Sequence, residues 1–352
     1  MLSLDALLAS LTARPNPDAL IASFVPPVRF AGKRFRKYQP DPRFPSQSAA
    51  LEHLRKLAAD LIRRSRRRLL RQLQAAMGQG RRGGGTYLDG GFGVGKTHLL
   101  ASLWNVAPGP KAYLSFDELV YTLGLLGVAG TRSAFRQMRL VAVDEWELDD
   151  PGNLKLALAF LRGALEDGTW VVATSNTVPD ELGRGRFSQK DFAAEIEELA
   201  SSFEVIRIEG EDFRHRHFQA DPGREYFMDP DALVESARTV GEGVLLVSFR
   251  ELLLALGTIH PIRYADLADA IRSLHLQGMS PLTSLPEALR WVHWIDKLYD
   301  GGVRFVASSE SPLGELIPAE FLAGAYGKKF GRCLSRMEEM LGEGAMAPSP
   351  TG

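Results

Sequence analysis

The stretch "TYLDGGFGVGKTHLLASLW" (86–104) constrains this chain more than any other. An apolar run ends in Gly90-Gly91-Phe92-Gly93-Val94-Gly95-Lys96-Thr97, which fits G-x-x-x-x-G-K-[ST] in full, and a helical apolar pattern follows at once. Glycines in such a loop let backbone N–H groups turn inward around phosphate oxygens, and the helix N-terminus adds its partial positive charge. Lys96 is placed to reach β- and γ-phosphates, and Thr97 to offer its hydroxyl to Mg2+. His98, the next residue, is grouped with them as nucleotide-binding. A strand that runs into such a loop and then a helix belongs to a parallel sheet with its ligand edge at the strand's carboxyl end.

Further strands are expected at 111–116, 140–145, 169–176 and 203–210, with helices at 48–77 and 153–168. Strands alternating with helices predict an α/β sheet covered on both faces. The strand "LVAVDE" (140–145) ends in two carboxylates at the same ligand edge as the glycine loop. Asp144 there is suited to Mg2+, and Glu145 to polarising an attacking water as general base. The strand "VVATSN" ends in Asn176, whose side chain is placed to orient that water; a plain turn asparagine is the competing reading. Glycine loop, Asp-Glu strand and polar-ended strand, in that order, form the layout of AAA+ ATPases. No guanine-specifying Asn-Lys-x-Asp motif is visible, so ATP is favoured over GTP.

Composition sets outer limits. The 352 residues allow two or three domains, and a formal net charge of −1 argues neither for nor against nucleic acid. A single cysteine, Cys333, excludes an internal disulfide framework. No secretory leader is read at the N-terminus, and the longest apolar candidate, 119–130, is short of the roughly 20 residues a membrane helix needs. A cytoplasmic protein is expected. The expected organisation is an N-terminal arm and helix (1–78), a P-loop core (79–220), a mainly helical C-terminal domain (221–341) with one strand at 302–308, and a disordered tail (342–352).

The stretches "YLDGGFGVGKTHLLASLW", "DEWELDDPGN", "ATSNTVPDELGRGRF", "GEDFRHR", "IDKLYDGGVRFVASSESP" and "GRCLSRMEEM" together resemble the ZapE-type, AFG-like family of AAA+ ATPases, its actinobacterial branch in particular. The resemblance runs from about residue 25 to 341. It implies an ATP-hydrolysing protein with a P-loop core, a C-terminal domain of its own and a homo-oligomeric state. It also implies a protein partner to remodel: bacterial members are linked to cell division and the tubulin-like ring protein, mitochondrial relatives to inner-membrane protein quality control. By resemblance, Asn176 is the γ-phosphate sensor, Arg186 the arginine-finger candidate, and Arg336 a phosphate-touching arginine of the C-terminal signature. The family's second acid after the Asp-Glu pair falls on Asn153 here, and Trp146 stands where Phe is usual. A helicase-loader-like ATPase and a nucleotide-switched scaffold are the rival functions.

Several features stay open on sequence alone. The arginines of 63–71 form either a nucleic-acid, acidic-partner or membrane-surface patch or a solvated helix face. Residues 122–132 form either a mobile channel loop or a buried helix and turn. Tyr38, Pro40 and Gln47 lie on an arm that either packs on the adenine or simply wraps the core. His215 and His217, flanking Arg216, lack the ligand inventory of a zinc site.

Overall fold

The computed structural model describes residues 1–11, 17–66, 83–91, 93–147, 151–179, 189–211, 226–324 and 326–346. Contacts divide the chain into two units, one of Pro15–His217 and one of Met1–Arg14 with Phe218–Gly352.

The first unit is built on a five-stranded parallel sheet in the order β2-β3-β4-β1-β5. The strands are β1 (Gly84–Gly90), β2 (Lys111–Ser115), β3 (Leu140–Asp144), β4 (Trp170–Ser175) and β5 (Glu204–Ile208). Successive side chains point to opposite faces, so the inner strands feed two cores. Val141 and Val143 pack with helices Phe116–Phe135, Pro151–Glu166 and Ala193–Ser201, while Leu140 and Ala142 pack with helices Pro45–Arg66 and Lys96–Val106. Burial on both faces is why β3 reads as an unbroken apolar run. The sequence expectation of a P-loop α/β sheet with helices on both faces is met.

The second unit holds a three-stranded parallel sheet in the order β6-β7-β8: Val244–Ser248, Ser273–Met279 and Arg304–Ser309. Helices dominate around it, as expected, but only the last of the three strands had been anticipated. Both units launch helices from strands in the same way. In "SFDE" and "SFRE" the serine caps the helix and the glutamate reaches back to the serine N–H, a reciprocal capping box at Ser115/Glu118 and Ser248/Glu251.

One boundary is corrected. The N-terminal arm forms short helices, Leu4–Ser10, Pro17–Ala22 and Val28–Ala31. Leu2, Leu4, Leu7 and Leu11 pack on the second unit, and Leu2 bridges to Leu245 at the edge of β6. The last helix runs from Gly327 to Met346, past the expected end at 341. Its Gly344 is a packing residue rather than a tail signal: a Cβ there would lie 2.3 Å from the Phe305 carbonyl oxygen, and the Gly344 carbonyl accepts a bond from Arg304 at 3.1 Å. Residues 347–352 lie outside the described residues.

At the centre of the second sheet His275 is fully buried, its ring nitrogens 3.2 Å from Ser236 Oγ and 3.3 Å from Ser273 Oγ. Burial, helped by the nearby Arg304 charge, lowers its pKa to about 4 from an ordinary 6.5. The unfolded chain therefore binds a proton that the folded chain refuses. Stability is expected to be level above about pH 6.5 and to fall as pH drops from 6.5 toward 4. Denaturant midpoints measured across that window should fall less steeply in His275→Asn; identical slopes would refute the assignment.

Candidate nucleotide site

The glycine loop closes β1 and opens helix Lys96–Val106, with Gly93 at φ 68° and Gly95 at φ 90°. Gly95 has a second constraint: a Cβ there would meet Tyr38 Cε2 at 2.5 Å. The arm is strapped to the outside of the loop at this point. Tyr38 Oη donates to the Val94 carbonyl at 2.9 Å, and Gln47 bridges Asp41 N at 2.8 Å and the Glu209 carbonyl at 2.9 Å. Among the described contacts, then, the arm buttresses the loop.

Inside the loop Lys96 is buried, and its Nζ donates to the carbonyls of Gly90 at 2.7 Å and Gly91 at 2.6 Å and to Asn176 Oδ1 at 2.9 Å. The residue expected to bind phosphate and the residue expected to sense it are thus in direct contact, although 80 positions apart. This follows from topology, since β4 lies beside β1 and delivers Asn176 next to the loop.

Thr97 Oγ1 donates to Asp144 Oδ1 at 3.3 Å. Tyr113 Oη donates to Asp144 Oδ2 at 2.8 Å, and Thr174 Oγ1 donates to Asp144 Oδ1. Burial pushes the Asp144 carboxyl above its ordinary range and the Glu145 charge adds to the push, while hydroxyl bonds from Thr174, Tyr113 and Thr97 oppose it. A buried carboxylate beside a threonine hydroxyl is an oxygen donor set that suits Mg2+, whose charge would offset the cost of burial. Glu145 follows with φ 53°, the one positive φ outside glycine among the described residues. Trp146 is fully buried against Phe116 and Phe203 at ring distances of 4.9 and 5.6 Å, which anchors the chain just past the two acids.

Other expected residues make contacts of their own. His98 engages the arm rather than the Lys96 cluster: its Nε2 lies 3.2 Å from the Arg34 carbonyl and its ring meets Tyr38 edge-on at 5.6 Å. Burial lowers its pKa, and the charges of Lys33 and Lys37 add to this against the Arg34 carbonyl. Arg336 lies on the final helix, Gly327–Met346. Its guanidinium bonds Asp296 and lies over the Tyr299 ring, 4.9 Å from the centroid, within the second unit. Glu339, three residues further along the same helix, accepts from Tyr299 Oη at 2.9 Å.

Asn153 lies in the first turn of helix Pro151–Glu166. Residues 122–132 lie within helix Phe116–Phe135, which is broken at Gly127 (φ 69°), with Leu123 and Thr131 buried and Leu125 exposed. Of the arginine run, Arg63 pairs with Asp60 and Arg64 covers the Trp170 ring at 5.0 Å. Phe92, Arg67, Arg68, Arg71, Arg186, Arg214, His215, Arg216 and His217 lie outside the described residues.

Sequence reasoning missed Tyr113 and Thr174. Both are hydroxyl residues inside otherwise apolar strands, and nothing local marks the carboxylate they meet. No helix among the described residues is long and apolar enough to cross a membrane.

The chain is 26% identical to Cell division protein ZapE of Escherichia coli K12 over 299 residues, 74% of this chain and 78% of that one. It is 24% identical to Lactation elevated protein 1 homolog B of Danio rerio over 216 residues, 53% of this chain and 43% of that one. AMPPCP-bound DnaA of Aquifex aeolicus aligns over 90% of this chain and 99% of its own, at 11% identity and a TM-score of 0.39. The family model for AFG1-like ATPases matches residues 25–239 and 231–347. The glycine loop, the acidic strand end and strands β6 to β8 all fall within those limits, and the chain belongs to the AFG1-like ATPase family.

Proposed function

We propose that this ATPase hydrolyses ATP with Mg2+ at the Lys96–Asn176–Asp144 cluster and uses the cycle to remodel a protein partner. The observation that carries the reading is the meeting of Lys96 Nζ with Asn176 Oδ1 at 2.9 Å, beside the adjacent acids Asp144 and Glu145. Loop amides of Gly90–Gly95 and Lys96 hold the phosphates. Thr97 and Asp144 would hold Mg2+, which would supply positive charge beside the phosphates. Glu145 takes the proton of the attacking water, and Asn176 orients that water against the γ-phosphate.

Arg186 serves the site of a neighbouring copy as an arginine finger, so the working form is a homo-oligomer. The likeness to Cell division protein ZapE supports a partner at the division site, with the tubulin-like ring protein as the first to test, and a cytoplasmic setting. A nucleic-acid role is not favoured, because the described arginines Arg63 and Arg64 are engaged by Asp60 and Trp170.

The test is a mixing experiment. Turnover per protein should rise with concentration, and Arg186→Ala should lower it by about 10³-fold. Mixing Arg186→Ala with Glu145→Gln protein should restore part of the activity, because some interfaces then combine an intact finger with an intact base. A concentration-independent rate with Arg186→Ala unimpaired would refute the neighbour's role. Remodelling is tested by co-sedimenting Glu145→Gln protein, loaded with ATP, with filaments of the tubulin-like protein; no ATP-dependent enrichment would refute that partner.

A further inference from the structure

The ladder between β3 and β4 pairs Leu140 with Trp170, Val141 with Val171, Ala142 with Val172 and Val143 with Ala173, and there it ends. The next step along both strands is Asp144 beside Thr174. Here the Thr174 side chain takes over from the backbone. Its hydroxyl hydrogen goes to Asp144 Oδ1, and its oxygen accepts the Glu145 N–H at 3.0 Å. One residue further, the Thr174 carbonyl accepts the Trp146 N–H at 2.7 Å. Three consecutive residues, Asp144, Glu145 and Trp146, are thus bonded to one threonine, two positions before Asn176.

The middle of those three has the unusual backbone. Glu145 sits at φ 53°, a conformation that side-chain-bearing residues adopt only when their surroundings hold them there. Two bonds flank the turn, the Glu145 N–H donating to Thr174 Oγ1 and the Trp146 N–H donating to the Thr174 carbonyl. The turn decides where the Glu145 carboxyl stands relative to Asp144. A hydroxyl is the group that can both donate to the carboxylate and accept the amide, because it carries one hydrogen and free lone pairs. Thr174 is itself fully buried, so no water substitutes for it from bulk solvent.

We propose that Thr174 is the positioning residue for hydrolysis: its hydroxyl fixes the Asp144 carboxylate and holds the Glu145 backbone in its left-handed turn. The proposal rests on the reading of Glu145 as the general base. Because Asn176 continues the same strand, Thr174 also ties the water-orienting asparagine and the base to one rigid element. The bonds of Thr174 go to Asp144, Glu145 and Trp146 rather than to Lys96 or the loop, so its loss separates binding from chemistry. Lys96 and the loop amides keep their grip on ATP, while the base drifts from the geometry that the reaction needs.

The test compares Thr174→Val, Thr174→Ser and Glu145→Gln with the wild type. Valine keeps the shape and removes both hydroxyl bonds; serine keeps both. In Thr174→Val the single-turnover rate should fall about tenfold to a hundredfold, with ATP affinity within about threefold of wild type. Thr174→Ser should recover most of the rate. An independent readout comes from the nucleotide-free protein. Hydrogen exchange of the Glu145 amide should accelerate in Thr174→Val, while the ladder amides of β3 stay protected.

Thr174→Val turning over at the wild-type rate would overturn the proposal. So would a general loss of β3 protection and ATP affinity that Thr174→Ser shares, which marks a merely structural residue. If Glu145→Gln is inactive and Thr174→Val is not, this proposal alone fails. If Glu145→Gln keeps full turnover, the reading of the base fails and takes this proposal with it.

Discussion

Lys96→Ala is expected to abolish measurable ATP binding, and Glu145→Gln to leave binding intact while stopping turnover. The Lys96 ammonium is held by three oxygens, of Gly90, Gly91 and Asn176. Those bonds pre-position the cation at the mouth of the glycine loop, where a triphosphate needs one. Hydrogen bonds to charged groups contribute about 1.5–3 kcal/mol each. Losing two of them to phosphate weakens affinity by about a hundredfold or more, since 1.4 kcal/mol is tenfold. Alanine also leaves the loop carbonyls facing phosphate oxygens with no cation between them.

Glu145→Gln removes a proton acceptor and keeps the shape, so affinity should stay within about threefold while the rate falls by roughly 10²–10⁴. Calorimetric titration of ATP and a phosphate-release assay on both variants separate the two effects. Full turnover by Glu145→Gln, or wild-type affinity in Lys96→Ala, would overturn the assigned roles.

These two residues were legible in the sequence for a definite reason. Their roles are tied to short continuous motifs whose geometry is local, a strand running into a loop or into two acids. The first sheet was legible because its central strands are buried on both faces and read as apolar runs, "LVAVD" above all. Strands β6 and β7 escaped notice for physical reasons. "VLLVS" runs directly into the helix "FRELLLALGT", so one apolar stretch covers two elements, and "SLHLQGM" carries a histidine and a glutamine inside a buried strand.

Contacts across long stretches of chain were invisible. Nothing near Tyr113 or Thr174 announces that both aim at Asp144, 31 and 30 positions away. The arm behaved likewise. Its aromatics and prolines read as a wrap, but only packing reveals that Tyr38 braces the back of Gly95.

Arg336 is the sharpest case, and it leads to the second large expected effect. Asp296 on helix Leu285–Gly301 accepts from Arg332 Nη2 at 2.8 Å and also from Arg336, 36 and 40 positions later on the final helix. All three are nearly inaccessible to solvent, at 8%, 7% and 8% exposure in that order. Burial works to raise the Asp296 pKa, but the charges of Arg332 and Arg336 outweigh it and hold the group at about 2. Removing one member of a buried, paired cluster costs about 3–5 kcal/mol, because the charges left behind stay desolvated. Asp296→Ala leaves two guanidinium groups facing each other, so the second unit should lose stability on that scale and its Tm should fall by on the order of 10 °C.

Acid should act the same way on the wild type. The folded-state carboxyl lies below its ordinary 3.8, so its contribution is complete above about pH 4 and is lost as pH falls toward about 2. Arg336→Ala should lower the Tm of nucleotide-free protein while ATP affinity stays near wild type. A phosphate-sensing arginine would do the reverse, losing affinity at constant Tm. Unfolding and ATP titration on the same preparation of Arg336→Ala decide between them, because a side chain held by Asp296 and Tyr299 cannot be removed without loosening the helix that carries it.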